Sequence, residues 1–245
     1  MILQNFSVET NHGPYLNVNE DGYAFDFDNE LYMIFDGYGG AGLGDKCVEK
    51  LKENVSKFYN NFVFDRDKTL PFFYSPKYLL EGNALVNAAL LAHHSKYKDN
   101  LGKDIARRAG SSGIIAVKSE SILTILSTGN CRAYIHRQGQ IRKIFEEDNY
   151  LNLSHDNFDS HFKNIPLSGF GLFSDLHYQV KEIRIKAGDQ VLFLSDGVYA
   201  RLDDVEIKSS IQKLSMNLKV KIKELFELAN NRGNLDNQTC MIMEF

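Results

Sequence analysis

Leu31-Tyr32-Met33-Ile34-Phe35-Asp36-Gly37-Tyr38-Gly39-Gly40 is the stretch on which the fold turns. A short apolar run ends in a carboxylate, and glycines follow at once. A run of this length bounded by glycine reads as a buried strand. Asp36 then falls where the backbone leaves the sheet, and Gly37 frees the chain to turn away. Alone, an Asp-Gly pair at a strand end is turn chemistry. The chain, however, repeats the arrangement. Val191-Leu192-Phe193-Leu194 runs into Ser195-Asp196-Gly197, and Leu235-Asp236-Asn237 puts a third carboxylate ahead of the apolar tail Cys240-Met241-Ile242-Met243. A further acidic cluster, Asn19-Glu20-Asp21, precedes the first of these strands.

Outward from that stretch, a strand is expected over 2–8, with turn residues Asn11-His12-Gly13-Pro14 after it. The alternation at 23–27 predicts a half-buried strand, paired as a hairpin with 31–35 across Asp28-Asn29. Cys47, Val48, Leu51, Val55, Phe58, Tyr59 and Phe62 recur at helical spacing, and a second helix is expected over 78–97. Four strands follow in succession, at 114–117, 122–126, 131–136 and 140–145, the last two flanking the hairpin signal Arg137-Gln138-Gly139. Short connections between them mean antiparallel sheet. The polar, weakly patterned segment from about 146 to 178 reads as a functional loop or flap. Strands return at 179–185 and 191–194. Asp203-Asp204 suit the cap of a helix to about 214, and a last helix over 218–229 stops near Asn230-Asn231-Arg232-Gly233. Runs of strands with helices grouped between them indicate an α+β fold with helices covering sheet faces. A chain of 245 residues is expected to form a single domain, 1–245, with a substantial core.

Composition narrows the functional classes. A net charge of -4 argues against a nucleic-acid partner. Cys47, Cys131 and Cys240 are odd in number and lack C-x-x-C spacing, so they read as buried thiols in a reducing compartment. Neither a secretory leader nor an apolar run long enough for a membrane span is visible. The expectation is a soluble, cytoplasmic monomer.

If Glu20, Asp36, Asp196 and Asp236 converge at one end of the sheets, they cannot all be anions unaided, because like charges within a few ångströms raise one another's pKa. A divalent cation resolves the conflict, and an all-oxygen ligand set without His or Cys favours Mg²⁺ or Mn²⁺. Two such ions roughly 3.5–4 Å apart can bridge a water, lower its pKa and aim it at phosphorus. Asp36 is the natural bridging ligand, since Gly37 next to it offers a backbone carbonyl as a further oxygen.

Six ordered motifs carry a resemblance: Asn19-Glu20-Asp21, Phe35-Asp36-Gly37-Tyr38-Gly39-Gly40, Gly110-Ser111-Ser112-Gly113, Gly129-Asn130-Cys131-Arg132-Ala133, Ser195-Asp196-Gly197 and Asp236-Asn237-Gln238-Thr239. In this order, over nearly the whole chain, the sequence resembles the type 2C metal-dependent protein phosphatases, the PPM family. The resemblance implies a four-layer αββα sandwich of two mainly antiparallel sheets flanked by helix pairs. It implies two divalent ions, Mn²⁺ or Mg²⁺, and hydrolysis of phosphoserine and phosphothreonine in proteins without a covalent intermediate. By motif position Asp36 resembles the bridging metal ligand and Gly37 the carbonyl ligand. Glu20 looks like a ligand of one ion, Asp196 and Asp236 like ligands of the other, and Asp21 like the residue that orients water. The implied partner is a phosphorylated protein, by family analogy one in a Ser/Thr kinase pathway.

Four positions depart from that pattern. Leu16 stands where the family has a phosphate-binding Arg, and Tyr38 where it has an acid His; Tyr38 is then the candidate proton donor. Asn130 and Ala200 replace acids that hold a third ion, so a third site is expected to be absent or weak. The alternative is a pseudophosphatase that binds a partner. A dinucleotide fingerprint, Gly37-Tyr38-Gly39-Gly40-Ala41-Gly42 with Asp65 behind it, competes only weakly, because it leaves Asp196 and Asp236 unexplained and the second half is hairpins. Ser111 and Ser112 lack a nucleophile elbow. Arg132 is expected to brace carboxylates, His12 to lie exposed in a turn, and His93 and His94 to sit near a helix end.

Overall fold

The computed structural model describes residues 2–39, 42–69, 76–104, 107–146, 168–213 and 217–245. The first half contributes strands β1 (Asn5–Asn11), β2 (Asp21–Asp26) and β3 (Leu31–Gly39), then helices α1 (Gly44–Thr69) and α2 (Lys77–Asn100). Strands β4 (Ala109–Ser119), β5 (Ile122–Thr128), β6 (Arg132–Arg137), β7 (Gln140–Lys143), β8 (Gln179–Arg184) and β9 (Gln190–Leu194) follow. The chain closes with α3 (Asp196–Tyr199), α4 (Asp204–Ile211), α5 (Leu218–Asn231) and β10 (Gln238–Glu244). Two five-stranded sheets result, one ordered β1-β10-β9-β6-β7 and the other β2-β3-β4-β5-β8. All the pairings in both are antiparallel.

The apolar run of β3 is continuous because both of its faces are buried. Leu31, Met33 and Phe35 pack under Cys47, Val48 and Leu51 of α1 and the alanines of α2, while Tyr32 and Ile34 face the other sheet. Ala84, Ala88, Ala89 and Ala92 give α2 a face of small residues toward the sheet. Between the sheets Ile114, Phe193, Met241 and Met243 fill the middle, and Ile207, Ile222, Leu225 and Phe226 cover the outer face of the first sheet. Four layers follow from these three interfaces, each fully buried Leu, Ile or Phe contributing about 1.5–3 kcal/mol. The helix starts are capped as their sequence predicts. Asp203 Oδ1 accepts from the Glu206 N–H at 2.8 Å while Glu206 Oε2 accepts from the Asp203 N–H at 3.1 Å, and Asn217 Oδ1 accepts from the Val220 N–H.

The structure corrects two readings and sharpens a third. The four strands expected as one succession divide between the sheets after β5. Gly129 makes the crossing with φ +78°, and a Cβ there would lie 2.3 Å from Ser112 Oγ. Gly110-Ser111-Ser112-Gly113 lies within β4, not ahead of it, and Ser111 and Ser112 are buried. Asp196, read at a strand end, opens the one-turn helix α3. The antiparallel ladders also remove the βα alternation that a dinucleotide fold needs. Of the expected flap, 147–167 lies outside the described residues, as do Gly40, Ala41 and position 214. Residues 168–178 are described and are pinned down. Phe170 bridges Ser111 and packs on Phe35, and the Gly171 N–H donates to His93 Nδ1 at 3.1 Å while Asn100 Nδ2 donates to the Gly171 carbonyl at 2.8 Å.

Candidate functional site

The acids gather at one pole of the sandwich, but Asp36, expected where the backbone leaves the sheet, lies inside β3, which stays paired with β4 as far as Gly39. Asp21 opens β2 and is the direct cross-strand partner of Asp36 in β3. Like charges opposite one another destabilise a ladder unless something offsets them. From the other sheet, Asp196 follows β9 and Asp236 precedes β10, whose Cys240 pairs with Leu194. The two sheets therefore bring Asp21 and Asp36 up to Asp196 and Asp236.

Each carboxyl registers its neighbours. Burial and then the charges of Asp196, Asp21 and Asp236 hold Asp36 well above the usual carboxylate range, against a hydrogen bond from the Asp196 N–H. Burial, then Asp236, pushes Asp196 up to about 7, although Asn130 Nδ2 donates to its Oδ2 at 2.9 Å and the Gly197 N–H also donates. Asp21 is pushed up to about 8 by burial and then by Asp196 and Asp236, despite the Ser195 hydroxyl donating to it at 2.6 Å and the Thr239 side chain bonding it. Glu20 is raised by burial, with Asp45 and Asp236 adding, while the Gly44 N–H donates to its Oε1 at 2.9 Å. Among the described residues no Lys or Arg forms an ion pair with Asp21, Asp36, Asp196 or Asp236. Nor do three acid, His or Cys side chains among them close around a single point. The carboxylates share a field without sharing one centre.

Backbone geometry tightens the pole. Ser111 gives both its N–H and its carbonyl to Phe170, so its pair with Gly37 is not hydrogen-bonded. The Gly37 N–H instead donates to the Glu20 carbonyl at 3.0 Å, and the Gly37 carbonyl therefore leaves β3 on the Glu20 side. A Cβ at Gly37 would lie 2.5 Å from that Glu20 oxygen. Asn237 ties the acidic segments together: its Oδ1 accepts from the Glu20 N–H at 2.8 Å, and its Nδ2 donates to the His12 and Val18 carbonyls.

The departing positions are also placed. Leu16 is exposed on the loop between β1 and β2. The Tyr38 hydroxyl is buried without a hydrogen-bond partner, and a Cβ at Gly169 would lie 2.0 Å from it. Burial and the Asp36 charge raise the Tyr38 pKa further. Ala200 is the exposed cap of α3. Arg132 opens β6 and lies with its guanidinium 3.7 Å from the Tyr199 ring centroid, while Tyr199 donates to the Asn130 carbonyl. The described contacts of Arg132 are thus with the Tyr199 ring and the Tyr134 hydroxyl and not with the expected carboxylates; His93 lies buried against Gly171, and His12 is exposed. Sequence reasoning missed Ser195, Thr239 and Asn237. Their signal was adjacency to Asp196 and Asp236 on strands whose partners were unknown.

No protein-family model matches the chain. A curated relative, probable protein phosphatase 2C 55 of Oryza sativa subsp. japonica, is 22% identical over 88% of this chain, which spans 57% of that relative's length. Among solved structures, PppA of Pseudomonas aeruginosa, described as a key regulatory component of T6SS, superposes with a TM-score of 0.80 at 20% identity, covering 98% of this chain and 96% of its own. The serine/threonine phosphatase PstP/Ppp of Mycobacterium tuberculosis gives 0.80 at 17% identity, covering 100% and 99%. The PstP catalytic domain in complex with two manganese ions gives 0.76 at 16% identity, covering 98% and 97%. The chain has the fold of the PPM serine/threonine phosphatases.

Proposed function

We propose that this chain is a metal-dependent phosphoester hydrolase of the type 2C class that removes phosphate from phosphoserine and phosphothreonine in proteins. The observation that carries the reading is the gathering of buried Asp21 with half-buried Asp36, Asp196 and Glu20 and exposed Asp236 at one pole, with no Lys or Arg among the described residues paired to Asp21, Asp36, Asp196 or Asp236. The donor set fits hard cations, being all oxygen. Asp36, Asp196, Asp236, Glu20 and the Gly37 carbonyl would hold two Mn²⁺ or Mg²⁺ ions. When bound, such a pair supplies water activation and charge neutralisation at phosphorus.

The chain's own residues then have defined work. Ser195 and Thr239 fix the Asp21 carboxyl, which faces the cluster as a proton acceptor for water. Asn130 holds Asp196 in place with a neutral amide where a third ion would need a carboxylate. Tyr38 serves as proton donor only in a state where Gly169 has moved off its hydroxyl.

That sealed hydroxyl, with Leu16 in place of a phosphate-binding cation, favours a second reading, a pseudophosphatase that binds a phosphoprotein without turnover. Release of p-nitrophenol from p-nitrophenyl phosphate with millimolar Mn²⁺ separates the two. Turnover that Asp236→Asn abolishes supports hydrolysis, and none at any metal concentration leaves binding alone.

A further inference from the structure

The pole opposite the acids holds a second arrangement of charge. The chain runs from Asp236 along β10 to Glu244, roughly 25 Å at about 3.3 Å per residue, so the far end of β10 is clear of the acid cluster. There Asn5, Glu244, Gln190 and His136 are successive cross-strand partners over β1, β10, β9 and β6. They share the outer face of the sheet with Ile242, Leu192 and Tyr134, which pack under α4 and α5. Beyond that apolar contact the face turns polar. Between it and the start of α5 lies an open cavity of about 520 Å³, with Asn5, Ser7, Gln190, Lys221 and Glu244 among its walls.

Several of these polar groups are engaged. Asn5 Nδ2 donates to Glu244 Oε2 at 3.0 Å, the Gln190 side chain bonds His136, and Lys219, also on the cavity wall, is held by Glu9 at 2.9 Å. Lys221 and Glu244 keep capacity in reserve. Lys221 is 4% exposed, and among the described residues its Nζ makes one bond, to the Ile211 carbonyl at 2.7 Å. An ammonium carries three donors, and burying it with donors unused is costly. Glu244 Oε1 accepts nothing among the described residues, nor is the hydroxyl of Ser7 engaged there, which stands diagonally across the β1–β10 ladder from Glu244. Burial lowers the Lys221 pKa and the Glu244 charge opposes that, so the two groups feel each other. No ion pair joins them, although both line the same cavity.

An anion entering the cavity is drawn to Lys221 and repelled by Glu244, and a cation meets the reverse. A molecule carrying both charges answers both walls. We propose that this cavity binds a free α-amino acid, its carboxylate accepting from the Lys221 ammonium and its own ammonium donating to Glu244 Oε1 and the Ser7 hydroxyl. The side-chain amides of Asn5 and Gln190 on the same walls suit a polar amino-acid side chain. The cavity stands apart from the acid pole and does not depend on the phosphatase reading.

The probe is L-glutamine, titrated into the isotopically labelled full chain and followed by the backbone amide signals in nuclear magnetic resonance. Two of its fragments are titrated beside it: glutaramate, which lacks the ammonium, and γ-aminobutyramide, which lacks the carboxylate. L-Glutamine is expected to shift the signals of Gln190, Lys221 and Glu244 saturably and to leave those of Asp21 and Asp36 in place. Its Kd is expected to lie at least about tenfold below that of either fragment, because each fragment gives up one charge-assisted contact and leaves a wall charge unanswered. Lys221→Met and Glu244→Gln are each expected to raise the Kd for L-glutamine by about tenfold or more. Thermal transitions check that the variants fold. The comparison of whole with fragments is made on the wild-type chain and stands without them. No saturable shift with L-glutamine, a fragment that binds as tightly as the whole, or a Kd unchanged in either folded variant overturns the proposal.

Discussion

Asp189 is a buried acid and Asp36 a half-buried one, and the chain treats them in opposite ways. Asp189 sits 1% exposed at the start of β9, gripped by Arg137, whose Nε and Nη2 donate to its two oxygens at 2.8 and 2.6 Å, with the Lys186 N–H adding a third bond. A planar fork on a carboxylate supplies charge and geometry together. Asp36 has a second carboxylate directly opposite it in the ladder and two more across from the other sheet. An acid that serves structure is given its cation by the protein. The acids of the pole have, among the described residues, only one another, and on the proposed reading a cation from solution takes the place that Arg137 fills for Asp189.

The sharpest break between the two regions is expected from paired substitutions. Arg137→Ala leaves Asp189 buried and uncompensated, and is expected to lower stability by about 3 kcal/mol or more with the folded fraction still active. Asp36→Asn removes one charge from a mutually repelling set. It is expected to lower phosphoester turnover on the order of 10³-fold while raising the melting temperature in EDTA. Urea melts and Mn²⁺-supported turnover of the two variants check this. A fall in stability for both, with turnover kept in Asp36→Asn, would erase the distinction.

A second test uses pH. With no divalent ion, Asp21 at about 8 and Asp196 at about 7 keep protons that the unfolded chain releases near the ordinary aspartate value of 3.8. The native state then binds more protons than the unfolded one from about pH 4 to about pH 8, so stability falls as pH rises through that window. Saturating Mn²⁺ takes the place of those protons and is expected to reverse the slope. At 100 times its Kd it adds about 2.7 kcal/mol, or about 5–10 °C for a chain of this size. Thermal melts at pH 5 and pH 8.5, with EDTA and with Mn²⁺, read both signs. An unchanged slope on adding Mn²⁺ would mean that the cluster does not take the ion.

These contrasts were unevenly legible in the sequence. The β3 run, the α1 periodicity and the Asp203 cap declared themselves, because each is a local pattern answered by local physics. The candidate acids were legible as a recurrence at the edges of apolar runs. Their convergence was not, since it depends on β9 and β10 of one sheet lying over β2 and β3 of the other. The division of β4 to β7 between two sheets was hidden for a related reason. A short connection with glycine reads as a hairpin, and only the packing of Gly129 on Ser112 shows that the chain changes layer there. Arg137 and Asp189 lie too far apart in sequence to be paired by eye, and their fork was invisible until β6 and β9 were neighbours. Tyr38 could be weighed only as a phenol in place of an imidazole, because what covers its hydroxyl arrives from residue 169.

The smallest effect expected here concerns that hydroxyl. Tyr38 Oη is buried with no partner, and an unsatisfied buried hydroxyl costs about 1–3 kcal/mol. Tyr38→Phe keeps the ring, which lies over Gly110, and removes only the orphan oxygen. It is therefore expected to raise stability by about 1 kcal/mol, the same direction as Asp36→Asn and opposite to Arg137→Ala. Its effect on turnover separates structure from chemistry. If Gly169 stays in place during the reaction, Tyr38→Phe changes kcat by less than about twofold. If the phenol is uncovered to donate a proton to the leaving alkoxide, kcat falls by about 10²-fold or more on poor leaving groups such as phosphothreonine. On p-nitrophenyl phosphate, whose leaving group needs no proton at neutral pH, it falls little. The ratio of the two losses, measured on one variant preparation, decides whether Tyr38 belongs with the acids it adjoins or with the packing that covers it.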